Sequence, residues 1–339
     1  MLNHHRRQLD REQLDHVLAA SGIDPALIRA CTELSDATFN TAYRLRLADS
    51  AEHSGLVLKV APHPDAPTLS HEPGIMRTEE MFYRATAGKA PVPEVVHADF
   101  TRKVIGSDFL LMSELPGGSW FAERERIADD DRTRMRAELG GMVAALHEVT
   151  GPGYGYPQFG DLAPDWRTAF LSMVDAVLTD ADTFASVLPR TTERIRRTIR
   201  ARADVLDEVV VPVLVHFDLW DGNILVDRTP EGRTRISGLV DGERAFWGDP
   251  VAELVSLGLF QDIEQDEPYL SGYRAAGGHL VFDSATRLRL SLYRSYLYLI
   301  MLVETTPRGF SGPEQQERTR YVSGLLDAEL DNLSAAQAG

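Results

Sequence analysis

Residues 214–227 read "LVHFDLWDGNILVD", and the fold turns on how this stretch is read. Apolar ends enclose a knot of polar groups: His216, Asp218, Asp221 and Asn223. Burying such groups costs roughly several kcal/mol unless partners or a ligand offset it. The stretch is therefore either a polar turn between strands or a reaction centre. A second stretch, "SGLVDGERAFWGDP" at 237–250, decides between them. Asp218 and Asn223 lie five positions apart, and Asp241 follows Asn223 by 18, at the end of the next strand. A hairpin of that length brings Asn223 and Asp241 side by side. An amide oxygen and a carboxylate are hard ligands suited to Mg²⁺, which keeps several waters and binds phosphates. Asp218, set back from them, can orient a substrate hydroxyl and accept its proton. His216 reads as a hydrogen-bonded support rather than a catalyst.

The rest of the chain supplies the setting. Its 339 residues suggest two domains or one core with a large lobe, and 43% hydrophobic with 25% charged residues is typical of a soluble globular protein. The net charge of −16, with no basic tract, argues against nucleic acid or an anionic membrane as partner. The most apolar run, "YLYLIMLV" at 296–303, is far short of the ~20 residues that cross a bilayer. No apolar signal core stands at the amino terminus, and the expected location is cytoplasmic. Cys31 is the single cysteine, which excludes an internal disulfide and a cysteine-built metal cluster.

Periodicity predicts helices over 9–20, from Asp24-Pro25, and over 72–87, with alternating strands through 38–61 and two more before "PGG" at 116–118. Beyond that break helical stripes cover 131–149, 166–179, 191–209, 251–260, 268–277 and 285–304, interrupted by strands in 213–240. The predicted layout is α+β and bilobal. It comprises a small β-rich lobe (1–112), a hinge (113–118) and a larger, mainly helical lobe (119–339), with a ligand cleft between lobes.

"HFDLWDGN" followed by "VDGE" resembles the aminoglycoside phosphotransferase family, whose members share the fold of eukaryotic-type protein kinases. The family pattern is His-x-Asp-x-x-x-x-Asn followed by a metal-binding Asp. The resemblance spans about 33–305 and is strongest over 214–250. It implies that Asp218 is the catalytic base and that Asn223 and Asp241 hold Mg²⁺, with ATP or GTP as donor. Asp241-Gly242-Glu243 replaces the Asp-Phe-Gly of protein kinases, so their Phe-driven switching does not carry over. Asp241 stands seven positions before Gly248 of "GDP", which leaves no room for a long activation segment. A small-molecule hydroxyl acceptor fits better than a protein. Antibiotics, sugars, aminosugars, fructosamines and amino alcohols are all family acceptors. A catalytically silent nucleotide-binding module is the other class, but Lys59, Asp218, Asn223 and Asp241 are all present.

The remaining parts can be sought residue by residue. "LVLKVAP" places Lys59, one of only three lysines, in an apolar strand, where a desolvated ammonium needs an anionic partner. In "HEPGIMRTEEMFYRAT", Glu79 shares the apolar face of Ile75, Met76, Phe82 and Tyr83 and is the preferred partner, ahead of Glu72 and Glu80. "LSDATFNTAYRLRL" stands where the family has its phosphate-covering loop, and without a Gly-rich pattern Ser35 and Thr38 are the candidate phosphate donors. Ser113 and Leu115 of "FLLMSELPGG" resemble the purine-holding hinge. For the acceptor, Trp220 is a candidate stacking ring, and Glu243, Asp262, Glu264 and Glu304 are candidate carboxylates for a cationic molecule, or else solvated acids. The expected assembly is a monomer or homodimer.

Overall fold

The computed structural model describes residues 7–34, 39–48 and 55–335. Its amino-terminal part runs α1 (Arg11–Ala20), β1 (Ile28–Leu34), β2 (Thr41–Leu47), β3 (Gly55–Val60), α2 (Ile75–Thr86), β4 (Val95–Asp99) and β5 (Phe109–Ser113). The five strands form one antiparallel sheet in the order β1-β2-β3-β5-β4. Strand alternation divides β3 between two environments. Leu56, Leu58 and Val60 join a core with Leu14, Val17 and Leu18 of α1, whereas Val57 packs on the main core of the molecule. Lys59 shares the face of Val57, and so it points towards α2 and the larger lobe.

That lobe runs β6 (Gly118–Ser119), α3 (Trp120–Glu123), α4 (Asp129–Leu146), α5 (Trp166–Thr183), α6 (Thr192–Arg200), β7 (Val213–Val215), β8 (Ile224–Arg228), β9 (Thr234–Leu239) and β10 (Phe246–Gly248), then α7 (Leu254–Leu257), α8 (Glu267–Ala275), α9 (Ser284–Val303) and α10 (Pro313–Ala335). β8 and β9 form a hairpin with β6 on its edge, and β7 pairs with β10. α9 is buried from Leu290 through Val303 except at Arg294, as its nearly continuous apolar character predicts. α4 and α8 cross closely because Gly140 and Gly272 stand at the contact, where a Cβ on either would run into the other helix's backbone.

The fold is thus α+β and bilobal, as the sequence predicts. Three local expectations change. Asp24-Pro25 opens only a single 3₁₀ turn (Pro25–Leu27), which leads straight into β1. The stretch 251–260 holds one α-turn, α7, behind a 3₁₀ turn started by Asp249 and Pro250. In 191–209 the α-helix stops at Arg200 and 3₁₀ geometry takes over at Ala203–Glu208. Among the described residues, no helix is long and apolar enough to cross a membrane.

Candidate active site

The β8–β9 hairpin does what its length predicts. Its register pairs Ile224 with Leu239, and the Val240 N–H donates to the Asn223 carbonyl at 3.0 Å, which carries Asp241 alongside Asn223. Asn223 Nδ2 donates to the backbone oxygen of Asp218 at 2.8 Å and to its Oδ2 at 3.2 Å. With its nitrogen committed to Asp218, the amide turns its oxygen the other way, the orientation a metal ligand needs. Phe217 and Asp241 both hold positive φ, 62° and 61°. Such non-glycine geometry is costly and persists only where surroundings enforce it. The enforcing groups are visible. The buried Glu253 carboxylate accepts the N–H groups of His216 (2.7 Å) and Phe217 (3.1 Å), and the Asp241 N–H donates to the Tyr83 hydroxyl at 3.0 Å. His216 is a support, as predicted: its Nε2 meets the Val240 carbonyl at 3.0 Å and its Nδ1 accepts the Asp218 N–H at 3.3 Å.

Opposite this hairpin stands Lys59. Its ammonium bonds Glu79 Oε1 at 2.6 Å and also closes on Asp241 Oδ1. Tyr83 donates to the same Glu79 oxygen at 2.7 Å. Burial alone would push the lysine pKa down, but Asp241 and Glu79 more than offset it and hold the group well above ordinary lysine. Burial likewise pushes the Asp241 carboxyl up, and Lys59 overcomes this to leave it below the usual range. Asp218 has no lysine beside it, and burial raises it to about 6, against the opposing pull of Arg244. Two carboxylates on one hairpin are thereby driven apart: one is held ionised, the other is poised to take a proton. Asp241 and the Asn223 oxygen are a donor set that fits Mg²⁺, which needs few protein ligands. Among the described residues no group of three or more His, Cys, Asp or Glu side chains is placed to hold a metal.

This arrangement has relatives. The model of the phosphotransferase enzyme family matches residues 30–292, most of the chain. The chain belongs to the phosphotransferase enzyme family. As a member it is a small-molecule kinase. The chain is 24% identical over 265 residues to a probable ketoamine kinase of Lactiplantibacillus plantarum, covering 74% of this chain and 82% of that one. Among solved structures it resembles a thermostable mutant of aminoglycoside phosphotransferase APH(4)-Ia (TM-score 0.62, 20% identity, 94% of this chain and 98% of that). It also resembles the streptomycin–ATP complex of APH(2″)-IIa (TM-score 0.61, 17% identity, 96% and 99%).

Within this phosphotransferase the other predicted residues are dispersed. Glu72 and Glu80, the alternative partners for Lys59, are engaged elsewhere, with Arg308 and Arg84 respectively. Ser35 and Thr38 lie outside the described residues. Ser113 ends the inner strand β5, its N–H donating to the Glu94 carbonyl and its hydroxyl accepting the Glu94 N–H. Leu115 packs over Gly238. Trp220 lies over Gly222 and beside Phe121, 5.5 Å between ring centroids. Glu243 accepts from Asn40 Nδ2 at 2.6 Å, and burial lifts its carboxyl to about 8. Asp262 caps its own turn and lines a polar cavity of about 250 Å³ with Trp120, Arg132, Arg136 and Asp221. Glu264 pairs with Arg287, and Glu304 with both Arg244 (2.8 Å) and Arg308 (3.2 Å). The five acceptor candidates therefore do not converge on one anionic pocket. Tyr83, Arg244, Glu253 and Arg308 also build the site, although the sequence assigns none of them a role in it. Tyr83 carried a signal, four residues beyond Glu79 on the same helical face.

Proposed function

We propose that the protein transfers the terminal phosphate of ATP to a hydroxyl of a sugar-derived small molecule of the ketoamine type, with Mg²⁺ bound at Asn223 and Asp241. The observation that carries this reading is the convergence of Asp218, Asn223 and Asp241 opposite the buried Lys59–Glu79 pair. Lys59 neutralises phosphate oxygens and is held for that task by Glu79 and Tyr83. Asp218 aligns the acceptor hydroxyl and takes its proton. A bound Mg²⁺ supplies positive charge for the phosphate oxygens as charge shifts in transfer. Positioning and charge account for such a reaction without a covalent enzyme intermediate. The division into 1–112, 113–118 and 119–339 frames the proposal, with the purine at Ser113–Leu115 and phosphate donors at Ser35 and Thr38. A cytoplasmic location, where ATP is abundant, accords with it.

The ketoamine assignment draws on the relative above and on the state of Glu304. A polycationic antibiotic calls for unpaired carboxylates near the base, and Glu304 already carries two guanidinium groups. An aminoglycoside acceptor, and with it a role in antibiotic resistance, is the second reading. Its support is that the structural neighbours include an APH(4)-Ia complex with AMP-PNP and hygromycin B. A coupled ADP-release screen across fructosamines, aminosugars, amino alcohols and aminoglycosides, with ATP or GTP and with or without Mg²⁺, tests both. Mg²⁺-dependent ADP release with a fructosamine supports the first reading. Release confined to aminoglycosides replaces it with the second, and none with any acceptor rejects transfer to these classes.

A further inference from the structure

A string of buried charges leaves the carboxylate of Asp218 and ends at Glu72, just before α2. Arg244 Nε stands 4.0 Å from Asp218 Oδ2, while its Nη2 bonds Glu304 Oε2 at 2.8 Å. Glu304 Oε2 also meets Arg308 Nη2 at 3.2 Å, and the same Arg308 nitrogen bonds Glu72 Oε1 at 2.6 Å. The second oxygen of Glu72 accepts the Leu69 N–H at 2.7 Å, and its carbonyl accepts the N–H of Ile75, the first residue of α2. The side chains of Glu72, Arg244, Glu304 and Arg308 are each at most 11% exposed. Signs alternate along the five groups, so each interior member is held between opposite charges.

Stability alone does not account for such a string. Buried ion pairs lose in desolvation much of what they gain in attraction, and apolar residues of similar volume often do as well. Its geometry is unequal in an informative way. Arg244 makes a short bond to Glu304 and stops beyond hydrogen-bond reach of Asp218, although Asp218 is an anion with an oxygen turned towards it. A guanidinium released from Glu304 would have Asp218 as its nearest remaining carboxylate. A direct pair there would compete with Asn223 Nδ2, which donates to the same Oδ2 at 3.2 Å, and would turn the carboxylate out of the setting in which its other oxygen receives the acceptor's proton.

We infer that Glu304 is a positioning residue: it holds Arg244 off Asp218, so that Asn223 alone sets the carboxylate's orientation and its other oxygen stays turned to the acceptor. Arg308 and Glu72 fix Glu304 from behind and tie that setting to the helix that carries Glu79. The inference rests on the role given to Asp218 under the proposed function. Glu304 serves through Arg244 and touches no reacting atom.

Glu304→Gln keeps the side chain's shape and removes its charge. The expected result is a fall in kcat of about tenfold or more, with KM for ATP within about twofold. Adding Arg244→Met to that variant removes the intruding cation, and kcat should recover most of the loss. A merely structural role predicts the reverse, a double variant worse than the single one, and that outcome overturns the inference. The crystal structure of Glu304→Gln provides a readout independent of turnover. Arg244 should close to hydrogen-bonding distance of Asp218, and a gap that stays near 4 Å overturns the inference even if the wild type proves to be a kinase. Absence of ATP consumption by the wild type would instead count against the proposed function, with the crystallographic test still decisive for Glu304.

Discussion

Asn223 holds Asp218 at two points, its amide nitrogen reaching the backbone oxygen at 2.8 Å and the carboxylate at 3.2 Å. One side chain thus orients the proposed base and presents its own oxygen to the opposite side. Because burial has lifted Asp218 to about 6, its proton affinity lies close to the working range of a general base. Asp218→Asn should lower kcat by roughly 10²–10⁴-fold while the Kd for AMP-PNP, measured by calorimetry, changes less than about twofold. A variant that turns over at the wild-type rate removes Asp218 as the base.

Lys59→Met leaves Glu79, which is fully buried, without its cation. Removing one partner of a buried pair costs about 3–5 kcal/mol, and urea unfolding should show that loss. Glu79→Gln introduced into Lys59→Met should recover part of it, since the stranded charge is then gone. If the two single losses simply add, the ion pair is not coupled as described.

The sequence was informative where chemistry is local and opaque where it is not. Lys59 and Glu79 were legible because strand and helix periods each put a charge on an apolar face. Asp218, Asn223 and Asp241 were legible because one hairpin carries all three. Arg308 and Glu72 are 236 positions apart, and nothing in either neighbourhood marks the other. The positive φ of Phe217 is equally invisible, since it is imposed by Glu253 from 36 residues away. β1 is not legible in the sequence because its residues are largely exposed and lack the alternation of a half-buried strand. The acidic acceptor pocket is expected from acidic residues scattered along the chain, and the structure pairs Glu264 and Glu304 with arginines and Glu243 with Asn40. Helix α10 lies beyond the helices the sequence predicts above, although Val322, Leu326, Leu330 and Leu333 form a buried stripe at helical spacing.

Gly242 replaces the Phe of the protein-kinase motif, and Phe82 from α2 fills the space beside it. A Cβ at Gly242 would press on that ring. Gly242→Ala should destabilise the protein by about 1–3 kcal/mol, and Phe82→Leu in the same chain should return part of the loss. Chemical denaturation of the three variants checks this. An alanine without effect would show that the ring yields freely.

His71 and His147 are buried and held down to about 3, with desolvation the leading cause for both. Unfolded histidine titrates near ~6.5. The folded state therefore binds fewer protons, and the histidine contribution is fully present above that pH. It is lost as the pH falls towards 3, at about 1.4 kcal/mol per pH unit for each group. Calorimetric melting should give a falling Tm from about pH 6.5 downward, with a shallower fall in His147→Leu. Parallel pH profiles for the variant and the wild type would contradict the assignment.

The most direct measurement is the crystal structure of the chain grown with Mg²⁺ and AMP-PNP. Metal bound by the Asn223 amide oxygen and Asp241, with Lys59 against the phosphates and Asp218 open towards the γ-phosphate, is the expected result. Metal and nucleotide seated away from this hairpin, or Lys59 turned from the phosphates, would contradict it.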